Sequence, residues 1–198
     1  DEVVVNATRV DKNNGMAYSN VDAETLKKQN LGQDAPYMLN MLPSVVVNSD
    51  AGAGVGYTGL RIRGSDGTRI NVTINGVPVN DAESQGTYFV DMPDLVSSTN
   101  NIQVQRGVGA SSNGAGAFGA SINFQTNELK DKAYANVIST TGSFDTYRNT
   151  LAAGTGLLND KFTLDARASS ITSNGYIDRA KSNLQSYYLA GGYYGKKS

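Results

Sequence analysis

The sequence predicts an α+β domain with a small mixed four-stranded sheet, followed by longer antiparallel strands. Three observations carry this. Ile70, Val72 and Ile74 alternate with Asn71, Thr73 and Asn75, then Asn75-Gly76 leads into Val77 and Val79. Asn-Gly between alternating runs is the strongest short-range hairpin signal, because both central residues need φ > 0. Asn100 to Thr126 places two alternating runs, Ile102/Val104 and Ile122/Phe124, around a centre holding Gly107, Gly109, Gly114, Gly116 and Gly119; period two is the strand signature. Beyond Asn127, alternating runs succeed one another, each near the roughly 9–11 residues of a tilted strand crossing a bilayer.

Composition narrows the function. The 198 residues suffice for one large or two small domains. There is no Cys and no His, which removes disulfides, thiolate metal sites, and the commonest general base and metal ligand. A net charge of -1 gives no electrostatic case for nucleic acid. No signal-peptide pattern or long apolar run occurs, so the chain reads as already processed and without a membrane helix; a membrane strand is invisible to that test.

In chain order, Asp1 to Arg9 carries three consecutive valines and reads as an edge strand or a tail. Asp22 to Gly32 predicts a short helix capped by Asp22 and ended by Gly32, with Leu26 on its apolar side. Asp34 to Leu42 predicts a second, with Asp34 as cap, Pro36 in the first turn, Leu39 and Leu42 spaced i, i+3, and Pro43 as stop. Asn48 to Gly59 is a loop by composition, and Leu60 to Gly64 a strand. After the 70–79 hairpin, whose second arm Pro78 confines to an edge or a short strand, Asp81 to Val90 is a loop and Asp91 to Val96 a short helix capped by Asp91. The first domain thus runs from about Asp11 to Thr126. Beyond it, Tyr134 to Thr141 alternates. Tyr147, Asn149, Leu151, Ala153 and Leu157 share a face, Phe162, Leu164, Ala166 and Ala168 a second, and Tyr187, Leu189 and Tyr193 a third. Leu158 to Lys161 is a tight turn and Thr172 to Asn183 a longer polar loop; short turns at one end and longer loops at the other is the outer-membrane barrel pattern. A soluble β-meander has the same periodicity. Four strands cannot close, since the smallest bacterial barrels have about eight, so an incomplete barrel is expected.

Enzymatic chemistry finds little support. Gly114 to Gly119 matches G-x-G-x-x-G, but a strand follows it where a dinucleotide site needs a helix, and no acidic residue ends a second strand. No S-x-x-K occurs. Asp81 with Glu83, or Asp91 with Asp94, could be paired as acid and base, but a loop solvator and a helix cap suit them better.

The motifs resemble those of TonB-dependent outer-membrane receptors. Ile102-Gln103-Val104-Gln105-Arg106-Gly107, the glycine loop, and Ser121-Ile122-Asn123-Phe124-Gln125-Thr126 look like the end of that family's plug domain. Asp34 to Val45 is similar to its opening helix and proline-valine step, and Ile62-Arg63-Gly64 to its isoleucine-arginine-glycine. Where the family usually has acidic residues before and inside the first of these strands, this chain has Asn100, Asn101 and Gln103. The resemblance implies a division into a TonB-box-like segment (1–10), a plug (11–127) and the first four strands of a longer outer-membrane barrel (128–198). It implies a transport receptor, not an enzyme, without cofactor or metal site of its own. Such a receptor binds a siderophore, haem, cobalamin or glycan, lies in outer-membrane lipid, and is driven by TonB pairing as an added strand with Val3, Val4 and Val5. Candidate ligand contacts lie in the two long loops: Asn48, Ser49, Asp50 and Tyr57, and Asp81, Glu83, Gln85 and Tyr88. By the same resemblance, Arg63 and Arg106 face acidic residues of the barrel wall. A surface adhesin or structural β-protein, and a nucleotide-dependent enzyme on Gly114 to Gly119, are the competing readings.

Overall fold

The computed structural model describes residue 10 and residues 15–108, 116–126 and 129–195. The expected TonB-binding valines Val3 to Val5 and most of the 107–119 glycine loop lie outside these. The first domain contains β1 (Tyr18–Asp22), α1 (Ala23–Gln29), α2 (Ala35–Met38), β2 (Val45–Ser49), β3 (Thr58–Ile62), β4 (Ile70–Ile74), β5 (Val77–Pro78), β6 (Asn101–Arg106) and β7 (Ala120–Gln125).

Its main sheet is mixed, in the order β1-β6-β7-β4-β5, with β4 and β7 parallel. It has one strand more than the four expected. Tyr18 to Asp22 has no apolar alternation and is held extended by its antiparallel pairing with β6. Val45 to Ser49 also falls outside the expected strands. It forms a separate ribbon with β3, so Asn48 and Ser49 are strand residues and the loop is shorter than composition suggests. The Asn75-Gly76 turn behaves as expected, with φ of 51° and 83°.

Alternate residues of β4, β6 and β7 (Ile70, Val72, Ile102, Val104, Ile122 and Phe124) are buried against Leu26, Met38, Leu39, Phe89 and Leu95. The polar alternates are buried too. Gln103 bonds Val10 through both its amide atoms, donating to the carbonyl at 3.2 Å and accepting from the N–H at 2.8 Å. Thr73 donates to Asn123 at 2.5 Å. Val10 therefore covers the polar face at Gln103, and its peptide groups satisfy a side-chain amide that would be costly to bury alone.

Two helix caps differ from expectation. Asp22 caps α1 through the Thr25 N–H, but Asp34 makes no cap bond to α2 and instead accepts from Thr58 Oγ1 at 2.9 Å. The 91–96 helix is replaced by two 3₁₀ turns, Phe89–Asp91 and Leu95–Ser98. Asp91 ends the first and caps nothing, while Asp94 precedes the second at φ 55° with its side chain turned elsewhere.

The second sheet is an antiparallel meander, β8 (Tyr134–Gly142), β9 (Thr146–Gly154), β10 (Phe162–Ser173) and β11 (Ser182–Tyr193). Val137, Leu151, Tyr187 and Leu189 face outward and are exposed; Arg148, Thr150, Arg167 and Ser169 face the first domain and are buried. Leu157 lies beyond the end of β9 rather than on its face. The short 143–145 turn shares its end with the long 174–181 loop, so connection length does not sort by end as the sequence pattern suggests.

Candidate functional site

Among the described residues, two regions join the first domain to the second sheet, besides a bond from the Tyr188 hydroxyl to Thr126 Oγ1 at 3.2 Å. The first is at the loop end. The β2–β3 ribbon closes through a glycine-rich connection, and Ala51 O accepts from the N–H groups of Tyr176 (2.8 Å) and Ile177 (3.3 Å) in the 174–181 loop. Gly52 has φ 72°, and a Cβ there would stand 3.0 Å from Tyr176 Cβ, so glycine suits both the backbone conformation and the close approach. Tyr176 stacks edge-on against Phe144, and Asn174 donates to Asp145 at 2.7 Å.

Of the candidate ligand contacts, Tyr57 and Asp50 are exposed on this connection, and Ser49 Oγ accepts from the Gly54 N–H. Asn48 is exposed and faces Gly59 across the ribbon. Asp81 accepts from the Ser84 N–H at 2.6 Å and from the Glu83 N–H; the hydrogen bond from the Ser84 N–H holds its carboxyl below the usual range. It organises its own turn, as a loop solvator does. Glu83 and Gln85 are exposed, Gln85 at φ 60°, and Tyr88 donates to Ser84 Oγ. A cleft of about 170 Å³ brings Asn48 and Gly59 of the ribbon together with Thr87 and Phe89 of the second loop, over Ile70, Val72 and Ile122. It is smaller than the about 300–1,000 Å³ of ordinary ligand pockets. The exposed surface of the two loops, rather than this cleft, is the candidate binding face.

The second region is a buried ionic junction that sequence reasoning did not find. Asp94, with a side chain only 1% exposed, meets two arginines of the second sheet: Arg148 Nη1 at 3.3 Å on Oδ1 and Arg167 Nη1 at 3.2 Å on Oδ2. Thr150 and Ser169 donate to Oδ2 at 2.8 and 2.5 Å, and Ser97 donates to the other oxygen at 2.5 Å. Arg148 also donates to Asn30 Oδ1 beside α1, and Arg167 to Ser98 and Ser186. A fully accepted carboxylate with charged donors is the form in which burial of charge is tolerated. One sign was present in the sequence: Arg148 and Arg167 stand opposite the apolar residues of strands long enough to cross a bilayer, where a charge is functional by default.

Arg63 and Arg106 bond groups of the first domain. Arg63 is exposed, at φ 50°, and donates to Arg106 O. Arg106 donates to Ser19 Oγ at 2.7 Å and Tyr18 O, tying β1 to β6. Among the described residues neither meets a carboxylate, and in the buried junction the acid stands on the first domain and the arginines on the second sheet. No group of acidic residues among the described residues could hold a metal ion, and no helix among them is long and apolar enough to cross a membrane.

The family model described as TonB-dependent Receptor Plug Domain matches residues 11–121, more than half of the chain. No curated protein matches. Among solved structures, FpvA of P. aeruginosa bound to a heterologous pyoverdine–Fe complex is similar with a TM-score of 0.73 at 18% identity, over 93% of this chain and 24% of that one. The ferric yersiniabactin uptake receptor FyuA of Yersinia pestis gives 0.59 at 14%, over 81% and 24%. The copper transporter OprC gives 0.63 at 18%, over 88% and 26%. The chain thus spans about a quarter of the length of these structures.

Proposed function

This chain belongs to the TonB-dependent receptor plug-domain family, and from that premise we propose that it is the plug and barrel start of an outer-membrane receptor that imports a scarce extracellular ligand using TonB. Residues 1–10 are the TonB-binding segment, 11–127 the plug and 128–198 the first four barrel strands. The observation that carries this is the seating of the plug on one face of the second sheet through Asp94, Arg148 and Arg167, while the opposite face carries Val137, Leu151, Tyr187 and Leu189 exposed. A sheet polar toward its own domain and apolar outward suits a wall between lumen and lipid.

On this reading the loop end, with Tyr57, Asp50 and the 174–181 loop, faces outside and takes the ligand, and Asp81, Glu83, Gln85 and Tyr88 extend the same role to the second loop. The names of FpvA, FyuA and OprC make a metal or metal chelate the first ligand to test, ahead of haem, cobalamin or a glycan. Arg63 and Arg106 are assigned to wall carboxylates outside the four strands of this chain. TonB adds a strand to Val3, Val4 and Val5, and the pull reaches the plug through Val10 and its two bonds to Gln103.

The test is Val4→Pro in the full receptor, measured with a panel of radiolabelled ferric and copper chelates. Proline removes a ladder donor and fixes φ, so uptake should be lost while binding at the cell surface is kept. Undiminished uptake would remove the assignment of Val3 to Val5.

A further inference from the structure

We infer that Arg148 and Arg167, with Thr150 and Ser169, form a carboxylate-binding site on the barrel wall that Asp94 occupies while the plug is seated and that can take the carboxylate of a passing solute once it is not. The inference rests on the reading of the chain as a plug within a barrel start.

The geometry divides the donors unequally. Five side chains donate to the Asp94 carboxylate, and four of them, Arg148, Thr150, Arg167 and Ser169, stand on β9 and β10. Only Ser97 travels with Asp94. The four wall donors are fixed by the sheet. Thr150 and Ser169 are directly paired across the two strands, and Arg148 and Arg167 lie two residues away from them along β9 and β10 respectively. Ser186 of β11 further fixes the Arg167 guanidinium at 2.9 Å. The sheet therefore sets the spacing of the four donors, with Thr140, Ser169 and Ser186 bonding the two arginines from within it, while Asn30 and Ser98, which also bond them, belong to the first domain.

The charge points the same way. Two guanidinium groups face one carboxylate, and among the described residues no second carboxylate forms an ion pair with either. Withdrawing Asp94 leaves two closely placed cations with their hydroxyl neighbours, and planar guanidinium groups match the two oxygens of a carboxylate. Nothing in the arrangement is specific to an aspartate side chain; it recognises the carboxylate.

The experiment empties the site without displacing the plug. In the full receptor, Asp94→Gly removes the carboxylate and accepts the φ of 55°. Plug unfolding is followed by limited proteolysis and thermal melting in sodium formate against sodium chloride at equal ionic strength. The expected result is a lowered melting temperature that formate raises saturably and chloride does not, with no such rise when Arg148→Gln and Arg167→Gln are added. Should Asp94→Gly fail to assemble, Asp94→Ser carries the same titration. Absence of a formate response in the assembled variant, an equal response without the two arginines, or failure of both variants to assemble even in formate would each overturn the inference. None of these readouts involves TonB or uptake, so they stand apart from the Val4→Pro result.

Discussion

Asp34 is buried beneath the β2–β3 connection, with Oδ2 bonded to Thr58 and Oδ1 without a hydrogen-bond partner among the described residues. Burial raises its carboxyl from 3.8 to about 7, against the smaller opposing effects of the Thr58 hydroxyl and the Gly56 amide. A carboxyl raised in the folded state binds a proton that the unfolded chain has released, so its stabilising effect is complete below about 3.8 and is lost as pH rises to about 7. Asp34→Asn should therefore leave plug stability unchanged near pH 4 and raise it at pH 8. The gain is a few kcal/mol at most, since each tenfold change in proton affinity is worth about 1.4 kcal/mol. Melting curves at the two pH values check this; a variant less stable than the parent at pH 8 would mean that the ionised carboxylate is supported in place. Asp94 accepts hydrogen bonds on both oxygens and is paired with two arginines, and removing it leaves buried cations at a cost of about 3–5 kcal/mol.

Elements differed in how far their own residues announced them. The 70–79 hairpin was legible because Asn75-Gly76 can adopt two consecutive positive φ values and the flanking alternation fixes the register. β6 and β7 were legible from Ile102, Val104, Ile122 and Phe124, each fully buried. β1 was not, because Tyr18 to Asp22 is extended only through β6 and the Arg106–Ser19 bond. The plug-to-barrel connection is another element that neighbours define. Gly156, at φ 64°, lies where a Cβ would stand 2.4 Å from the Lys132 carbonyl carbon, and Leu157 donates to Asp131 O. Gly156→Ala and Gly156→Asn should both destabilise by about 1–3 kcal/mol and expose residues 129–133 to protease. If crowding is the cause the two will be similar; an Asn variant much milder than Ala would identify φ alone, since Asn tolerates the left-handed region better.

At the scale of the molecule, the second sheet has one face covered by the plug over β9 and β10, and one face bare. Val137, Leu151, Tyr187, Leu189 and Tyr193 form an outward apolar surface, and β8 and β11 are the edge strands of this sheet, with no further strand added to them among the described residues. Bare apolar area and free strand edges both favour association. The 198-residue chain alone in water should therefore self-associate through this sheet and become monodisperse in detergent. Light scattering should show Leu151→Lys with Leu189→Lys shifting the aqueous chain toward monomer, whereas Thr150→Lys, on the plug side, should loosen the plug without that shift. A chain monodisperse in water without either change would contradict a lipid-facing surface.

By itself the sequence determined what depends on neighbours in the chain: the Asn-Gly turn, the periodicity of β4, β6, β7 and the four long strands, the α1 cap, and the motifs by which the family is recognised. These follow from φ preferences and side-chain alternation, which act over a few residues. Tertiary structure alone decided which polar residues act together. Asp94 lies 54 and 73 residues from Arg148 and Arg167, and nothing local distinguishes it from Asp91, which stays exposed three residues earlier. The same holds for Asp34, drawn away from its helix by Thr58, and for Arg106, drawn to β1. Burial assigns these roles, because a charged group removed from water must find its partners wherever the fold brings them.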